Sequence, residues 1–297
     1  ATVTELRKTH PRLPVIMFST LTERGARAAL EAIERGASDY VTKPANAGSL
    51  DISMQRIREQ LIPKIKALCG LDSGADERAA PTSAGATHPA GRVVARVDVV
   101  AIAVSTGGPN ALAELIPRLP ADLAVPVVIV QHMPPVFTRT LAERLSLKSR
   151  IVVSEGVAGD RVRPGAAWLA PGDQHMVVAR EGGQVCLRLH QGEPENSVRP
   201  AADVLFRSVV EVYGPGVLAV VLTGMGKDGL RGCEAVRAAG GQVLAQDEAS
   251  SVVWGMPGYV TRAGLADKVL PLGQIADEIM ARVARYRVSS APAAVTA

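Results

Sequence analysis

Three near-continuous apolar runs set most of what this chain can become, because each ends in a glycine- or proline-marked break. The first, Val97 to Val104, ends in Ser105-Thr106-Gly107-Gly108. The second, Val125 to Val130, ends in Gln131-His132-Met133-Pro134. The third, Leu218 to Leu222, ends in Thr223-Gly224-Met225-Gly226-Lys227-Asp228-Gly229. Such runs read as parallel strands buried on both faces. In open α/β sheets, sites form outside the carboxyl ends of the strands. Ser105, His132 and Asp228 are therefore placed to converge on one edge of one sheet, although they lie far apart in sequence.

The flanking pattern alternates strand and helix. Ala111 to Leu119 and Thr138 to Leu145 read as helices, as does Leu230 to Ala239 before the strand Gln242 to Gln246. Between Ile151 and Leu189 the turn signals Arg163-Pro164-Gly165, Ala170-Pro171-Gly172-Asp173 and Glu181-Gly182-Gly183 predict short strands and hairpins. The fold class is α/β: a mainly parallel, doubly wound sheet with helices on both faces. This unit spans residues 95–285, and 286–297 are a small, polar tail. Residues 1–62 read as a separate α/β piece with strands Val15 to Ser19 and Ser38 to Thr42, a helix from Glu23 to Arg35 and another over 50–62. That is too little to enclose a stable sheet alone. The Gly-, Ala- and Ser-rich stretch within 63–94 is a flexible linker; His88 in it carries no assigned role.

Composition excludes several classes. Lys, Arg, Asp and Glu are interspersed and the net charge is only +4, so neither a basic stripe nor an aromatic-interleaved patch supports nucleic-acid binding. No apolar segment approaches the ~18 residues of a membrane-spanning helix. The three cysteines, Cys69, Cys186 and Cys233, are odd in number and widely spaced, which favours a reducing cytoplasm over a disulfide framework. No His or Cys spacing suits a metal.

Each member of the Ser-His-Asp set has a plainer reading. A serine ahead of glycines at a helix start is commonly an N-cap, and such a loop also suits a phosphate. His132 reads equally as a hydrogen-bonded structural histidine, and Asp228 as a turn or capping aspartate. Their coincidence at three strand ends favours chemistry. A hydroxyl nucleophile needs a base within hydrogen-bond reach, an imidazole titrates near neutrality, and a carboxylate fixes its tautomer. The nucleophile segment is not a Gly-x-Ser-x-Gly elbow, since Ala103 precedes it. Neither nucleotide-binding glycine fingerprint occurs at these junctions.

With these residues in place, the chain resembles the chemotaxis protein-glutamate methylesterases. The likeness is carried by Ile102 to Pro109, by Gln131 to Pro134 with Phe137-Thr138-Arg139, and by Leu222 to Gly229. Ala170 to Met176, Arg199-Pro200 with Asp203 to Phe206, and Ala245 to Pro257 complete it. Residues 1–62 resemble part of a response-regulator receiver, with Ser19 as its switch hydroxyl, Tyr40 as its mobile aromatic and Lys43 as its phosphate-sensing lysine. The receiver's acidic pair and phosphorylated aspartate are expected before residue 1, so the phosphorylation site is absent from this chain. Ala103, and Ala201-Ala202 after Arg199-Pro200, depart from the family's usual Gly and Ser-Val.

The resemblance implies a carboxylic-ester hydrolase that removes γ-methyl groups from chemoreceptor glutamates as methanol and deamidates receptor glutamines. Ser105, His132 and Asp228 would be catalytic. Thr106 and Met225 would supply oxyanion contacts, and Arg139, Arg199, His175 and Met256 would make substrate-side or supporting contacts. No cofactor and no metal are implied. Expected partners are methyl-accepting chemoreceptors and, through a complete receiver, a histidine kinase; the expected state is a cytoplasmic monomer without membrane insertion. The rival is a catalytically silent receptor-binding adaptor of the same fold.

Overall fold

The computed structural model describes residues 2–44, 50–71 and 96–284. Most of the linker, His88 and the tail fall outside the described residues. The N-terminal part runs α1 (Thr2–Thr9), β1 (Ile16–Ser19), α2 (Glu23–Glu34), β2 (Asp39–Thr42) and α3 (Leu50–Leu68). β1 and β2 pair in parallel as a two-stranded sheet. Thr22 starts α2 by accepting from the Gly25 N–H, as an N-cap threonine should. α3 contains Pro63 and continues past residue 62 to Leu68.

The larger part runs β3 (Val99–Val104), α4 (Gly108–Leu115), β4 (Val127–Gln131), α5 (Phe137–Lys148), β5 (Val152–Glu155) and β6 (Ala166–Leu169). A hairpin of β7 (His175–Glu181) and β8 (Gln184–His190) follows, then α6 (Ala202–Tyr213) and β9 (Val217–Val221). The chain closes with α7 (Leu230–Ala238), β10 (Gln242–Gln246), α8 (Met256–Arg262), β11 (Lys268–Leu270) and α9 (Leu272–Ala284). The seven-stranded sheet has the order β11-β10-β9-β3-β4-β6-β5, and every pairing in it is parallel. β3 is thus flanked by β4, which follows it, and by β9, which returns much later. That reversal of direction is a topological switch point, where α/β folds open a crevice.

Strand alternation sorts the side chains. Ile102, Val104 and Ile129 face one layer with Leu112 of α4, Leu141 and Leu145 of α5, and Ile275 and Ile279 of α9. Ala101, Ala103, Val128 and Val130 face the other with Leu205 and Phe206 of α6, Val236 of α7 and Val260 of α8. Every residue of β3, β4 and β9 is buried, which explains why these strands read as unbroken apolar runs. Between Ile151 and Leu189 only β7–β8 is a hairpin. The short strands β5 and β6, expected among the hairpins, instead extend the parallel sheet, because their apolar face is needed against α5.

The N-terminal part buries itself on the larger one. Ala26, Ala29, Leu30 and Ile33 of α2 join the core layer of α4 and α5. Tyr40 stacks on Phe137, with ring centroids 4.5 Å apart and planes 8° from parallel. Glu34 pairs with Lys148 at 2.7 Å and with Arg144, and Asn110 donates to the Ile33 carbonyl at 3.3 Å. Ser19 donates to the Gly25 carbonyl at 2.8 Å, and the Lys43 ammonium lies 5.7 Å from the Phe18 ring centre.

Candidate active site

Ser105, His132 and the loop bearing Asp228 leave three adjacent strands. Val104 pairs with Gln131 and Ala103 with Val221. The register therefore carries Ser105 opposite His132 on one side and Thr223 on the other. The His132 N–H donates to the Val104 carbonyl at 3.2 Å, and the Ser105 N–H to the Thr223 carbonyl at 3.0 Å. Neighbouring strands lie about 4.8 Å apart. By the period of two, Ser105 and His132 follow Ala103 and Val130 onto the α6 face.

On that face His132 meets Asp228 directly: Nε2 lies 2.8 Å from Oδ2. The carboxylate can only accept, so the imidazole proton sits on Nε2 and Nδ1 is left as the acceptor. The Ser105 hydroxyl hydrogen-bonds to no group among the described residues; in free enzymes this contact commonly tightens only when substrate binds. Asp228 is buried and saturated. Its Oδ2 also accepts from the Ala202 N–H (2.6 Å), and its Oδ1 from the N–H groups of Asp203 (3.1 Å) and Gly229 (3.0 Å) and from Asn196 Nδ2 (2.9 Å). Burial alone would raise its pKa. The bond and charge of His132 and the N–H groups of Ala202 and Asp203 outweigh burial and hold it below the ordinary carboxylate value.

This carboxylate also solves a local problem. α6 begins after Ala201, which has no side chain to cap the first N–H groups. Asp228 reaches across from the β9–α7 loop and caps them, at the helix end where negative charge is favoured. The Ala201-Ala202 departure thus places small side chains where Asp228 approaches backbone. Ala103 is fully buried, and a Cβ added at Gly229 would meet its methyl group at 3.6 Å.

Supporting bonds lock the crevice. Gln131, on the opposite face, donates to the Ser105 carbonyl at 2.9 Å. Thr223 donates to the Thr106 carbonyl at 2.9 Å, and its own N–H is held by Gln246 Oε1 at 2.8 Å. The Gly224 carbonyl accepts from the Met256 N–H at 2.8 Å. A Cβ at Gly224 would lie 2.4 Å from Met256 Sδ and 2.8 Å from Ser105 Cβ, so only glycine lets these groups close on the serine. The N–H groups of Thr106 and Met225 have no acceptor among the described residues, which suits them to a developing oxyanion.

The other expected contacts are distributed differently. His175 uses both ring nitrogens on backbone: Nδ1 accepts from Ala201 at 3.2 Å and Nε2 donates to the Glu193 carbonyl at 3.0 Å. Arg199 is occupied by Asp173 at 2.6 Å and by the carbonyls of Gln191 and Gly192. Arg139 is exposed and pairs with Glu155 at 3.3 Å. Met256 is fully buried behind Gly224. Asn196 was not legible as a site residue. Its one sequence signal is an Asn-Ser pair of the kind that tolerates a tight turn. Among the described residues no group of three His, Cys, Asp or Glu side chains is placed to hold a metal, and no helix is long and apolar enough to cross a membrane.

Comparison with known proteins bears on the family and the fold. Residues 100–279 match the family model described as CheB methylesterase. A protein-glutamate methylesterase/protein-glutamine glutaminase from Trichodesmium erythraeum is 53% identical over 285 residues, covering 95% of this chain and 81% of that protein. One from Nocardioides sp. is 51% identical over 296 residues, covering 98% and 81%. The crystal structure of the Thermotoga maritima CheB methylesterase catalytic domain superposes with a TM-score of 0.61 at 42% identity, covering 63% of this chain and 99% of that one.

Proposed function

Because this chain belongs to the CheB methylesterase family, we propose that it carries out the family's hydrolysis through Ser105, His132 and Asp228. The enzyme is a protein-glutamate methylesterase and protein-glutamine glutaminase. The observation that carries the residue assignment is the 2.8 Å His132–Asp228 bond beside the end of the strand bearing Ser105. His132 Nδ1 takes the Ser105 proton as the hydroxyl oxygen attacks the γ-carbonyl carbon of the glutamyl ester or glutamine. The N–H groups of Thr106 and Met225 stabilise the resulting oxyanion. The imidazolium, steadied by Asp228, then gives its proton to the departing methanol or ammonia. Water, deprotonated by His132, attacks the acyl-serine and releases a glutamate carboxylate with free Ser105.

The substrates are methylated or amidated glutamyl side chains on chemoreceptor helices, and the setting is cytoplasmic chemotaxis signalling by a monomer. Residues 1–62 correspond to part of a receiver, through which, when complete, a histidine kinase would act. The test is methanol release from methylated receptor. Ser105→Ala should fold normally and lose at least about 10³-fold in turnover. Undiminished release from that variant would remove the assignment, and receptor binding without turnover by the unaltered protein would favour the adaptor.

A further inference from the structure

The residue opposite His132 on the Asp228 carboxylate is Asn196, and it touches a second buried acid as well. Asn196 Nδ2 lies 2.9 Å from Asp228 Oδ1 and 2.8 Å from Asp203 Oδ2. One amide nitrogen carries two hydrogens and can therefore serve both carboxylates without adding charge. We propose that Asn196 is a positioning residue of the esterase, whose amide keeps Asp228 apart from Asp203 as an acceptor-only carboxylate aimed at His132. The proposal rests on the Ser105-His132-Asp228 reading and deepens it.

The fold goes to some length to put this amide there. Asn196 and Ser197 both have positive φ, 53° and 63°, which side-chain-bearing residues rarely adopt. They form the tip of a two-residue turn closed by Glu195 and Val198, whose backbones exchange hydrogen bonds at 3.0 and 3.2 Å. The turn is tied to α6 by a two-point pair between Glu195 and Arg207, at 2.5 and 2.8 Å. The same helix carries Asp203, so the acid that the amide meets and the arginine that anchors its turn are built on one element.

Two buried carboxylates held by one amide nitrogen raise each other's affinity for a proton and titrate as a pair. Burial already pushes Asp203 above the ordinary carboxylate range, against the pull of the Gly232 N–H. A proton moving to the shared site would leave Asp228 a poorer acceptor for His132. The amide blocks this by donating to both. The titratable and charged groups facing Asp228 are His132 at the end of β4, Asp203 and Arg207 of α6, Glu195 of the turn and Cys233 of α7. Of these, only Asp203 offers a second carboxylate bound to the same amide.

The experiment compares Asn196→Asp, Asn196→Ala and Ser105→Ala with the unaltered chain, measuring kcat and KM for methanol release across pH, with thermal unfolding as the folding control. Asn196→Asp keeps the shape and exchanges a donor for an acid. It should lower kcat by about 10- to 100-fold with KM little changed. The added carboxyl favours the protonated forms of the cluster, so the acid limb of the pH–rate profile should move to higher pH. Asn196→Ala should move it the same way by less, and it carries the comparison if Asn196→Asp folds poorly. An unchanged kcat, or a lowered kcat with an unmoved acid limb in both variants, overturns the proposal. Full activity in Ser105→Ala would instead fault the underlying triad assignment, so the two failures are told apart.

Discussion

At the level of single residues, His175 shows how a histidine in a functional motif can be committed to structure. It is buried, and its Nδ1 accepts a backbone hydrogen bond that a protonated ring cannot accept. Burial lowers its pKa, the bond to the Glu193 carbonyl works against this, and the nearby charges of His190 and Arg199 lower it further. The sign of the consequence is fixed. Above about pH 6.5 the ring is neutral in folded and unfolded chains alike. As the pH falls below that value, the unfolded chain takes up a proton that the folded chain refuses, and stability is lost until the lower folded pKa is reached. Asp203, with its raised pKa, acts in the opposite sense, but equally in any variant at position 175. Urea midpoints at pH 7 and pH 5.5 should therefore fall more for the unaltered chain than for His175→Asn. Equal falls would show that the ring accepts its proton without cost.

At the level of elements, α6 makes stability and chemistry depend on the same atoms. Asp228 supplies the cap that Ala201 lacks, so Asp228→Ala should do more than abolish turnover. It leaves the buried N–H groups of Ala202 and Asp203 without an acceptor, a loss of about 1–3 kcal/mol. Ser105→Ala, whose hydroxyl holds no such bond, should unfold near the unaltered midpoint. Matching urea midpoints for the two variants would mean that α6 does not need the cap. This dual role also explains what was readable beforehand. β3, β4 and β9 could be placed within two residues from sequence because strands buried on both faces leave an unbroken apolar record. β5 and β6 left no such record. They are four residues each, β5 is partly exposed, and their parallel pairing is decided by the distant face of α5. Asn196 was invisible for a related reason: its importance lies in two carboxylates that approach it only after α6 and the β9–α7 loop have folded.

Across the whole molecule, the question is what residues 2–71 do to the catalytic crevice. Their contacts run to α4 and α5, through Tyr40 on Phe137, Glu34 with Arg144 and Lys148, and Asn110 on Ile33. A cleft lined by Glu23 and Arg27 on one side and by Pro135, Val136 and Arg139 on the other separates them from the loop that follows His132. The segment therefore braces the back of α5 and leaves the switch point between β3 and β9 to the α6 side of the sheet. Removing residues 1–90 uncovers the α5 face on which α2 packs, where each large apolar side chain returned to water costs about 1.5–3 kcal/mol. The shortened chain should unfold at a lower temperature. Its methanol release at 25 °C, measured per folded molecule, should stay close to that of the full chain, because Ser105, His132, Asp228 and Asn196 take none of their hydrogen bonds from the described residues of that segment. A rise of about tenfold, equivalent to ~1.4 kcal/mol of barrier, would mean that the segment obstructs substrate from its place on α5. A fall of the same size would mean that the Tyr40–Phe137 stack is needed to hold the loop behind His132 in its working position.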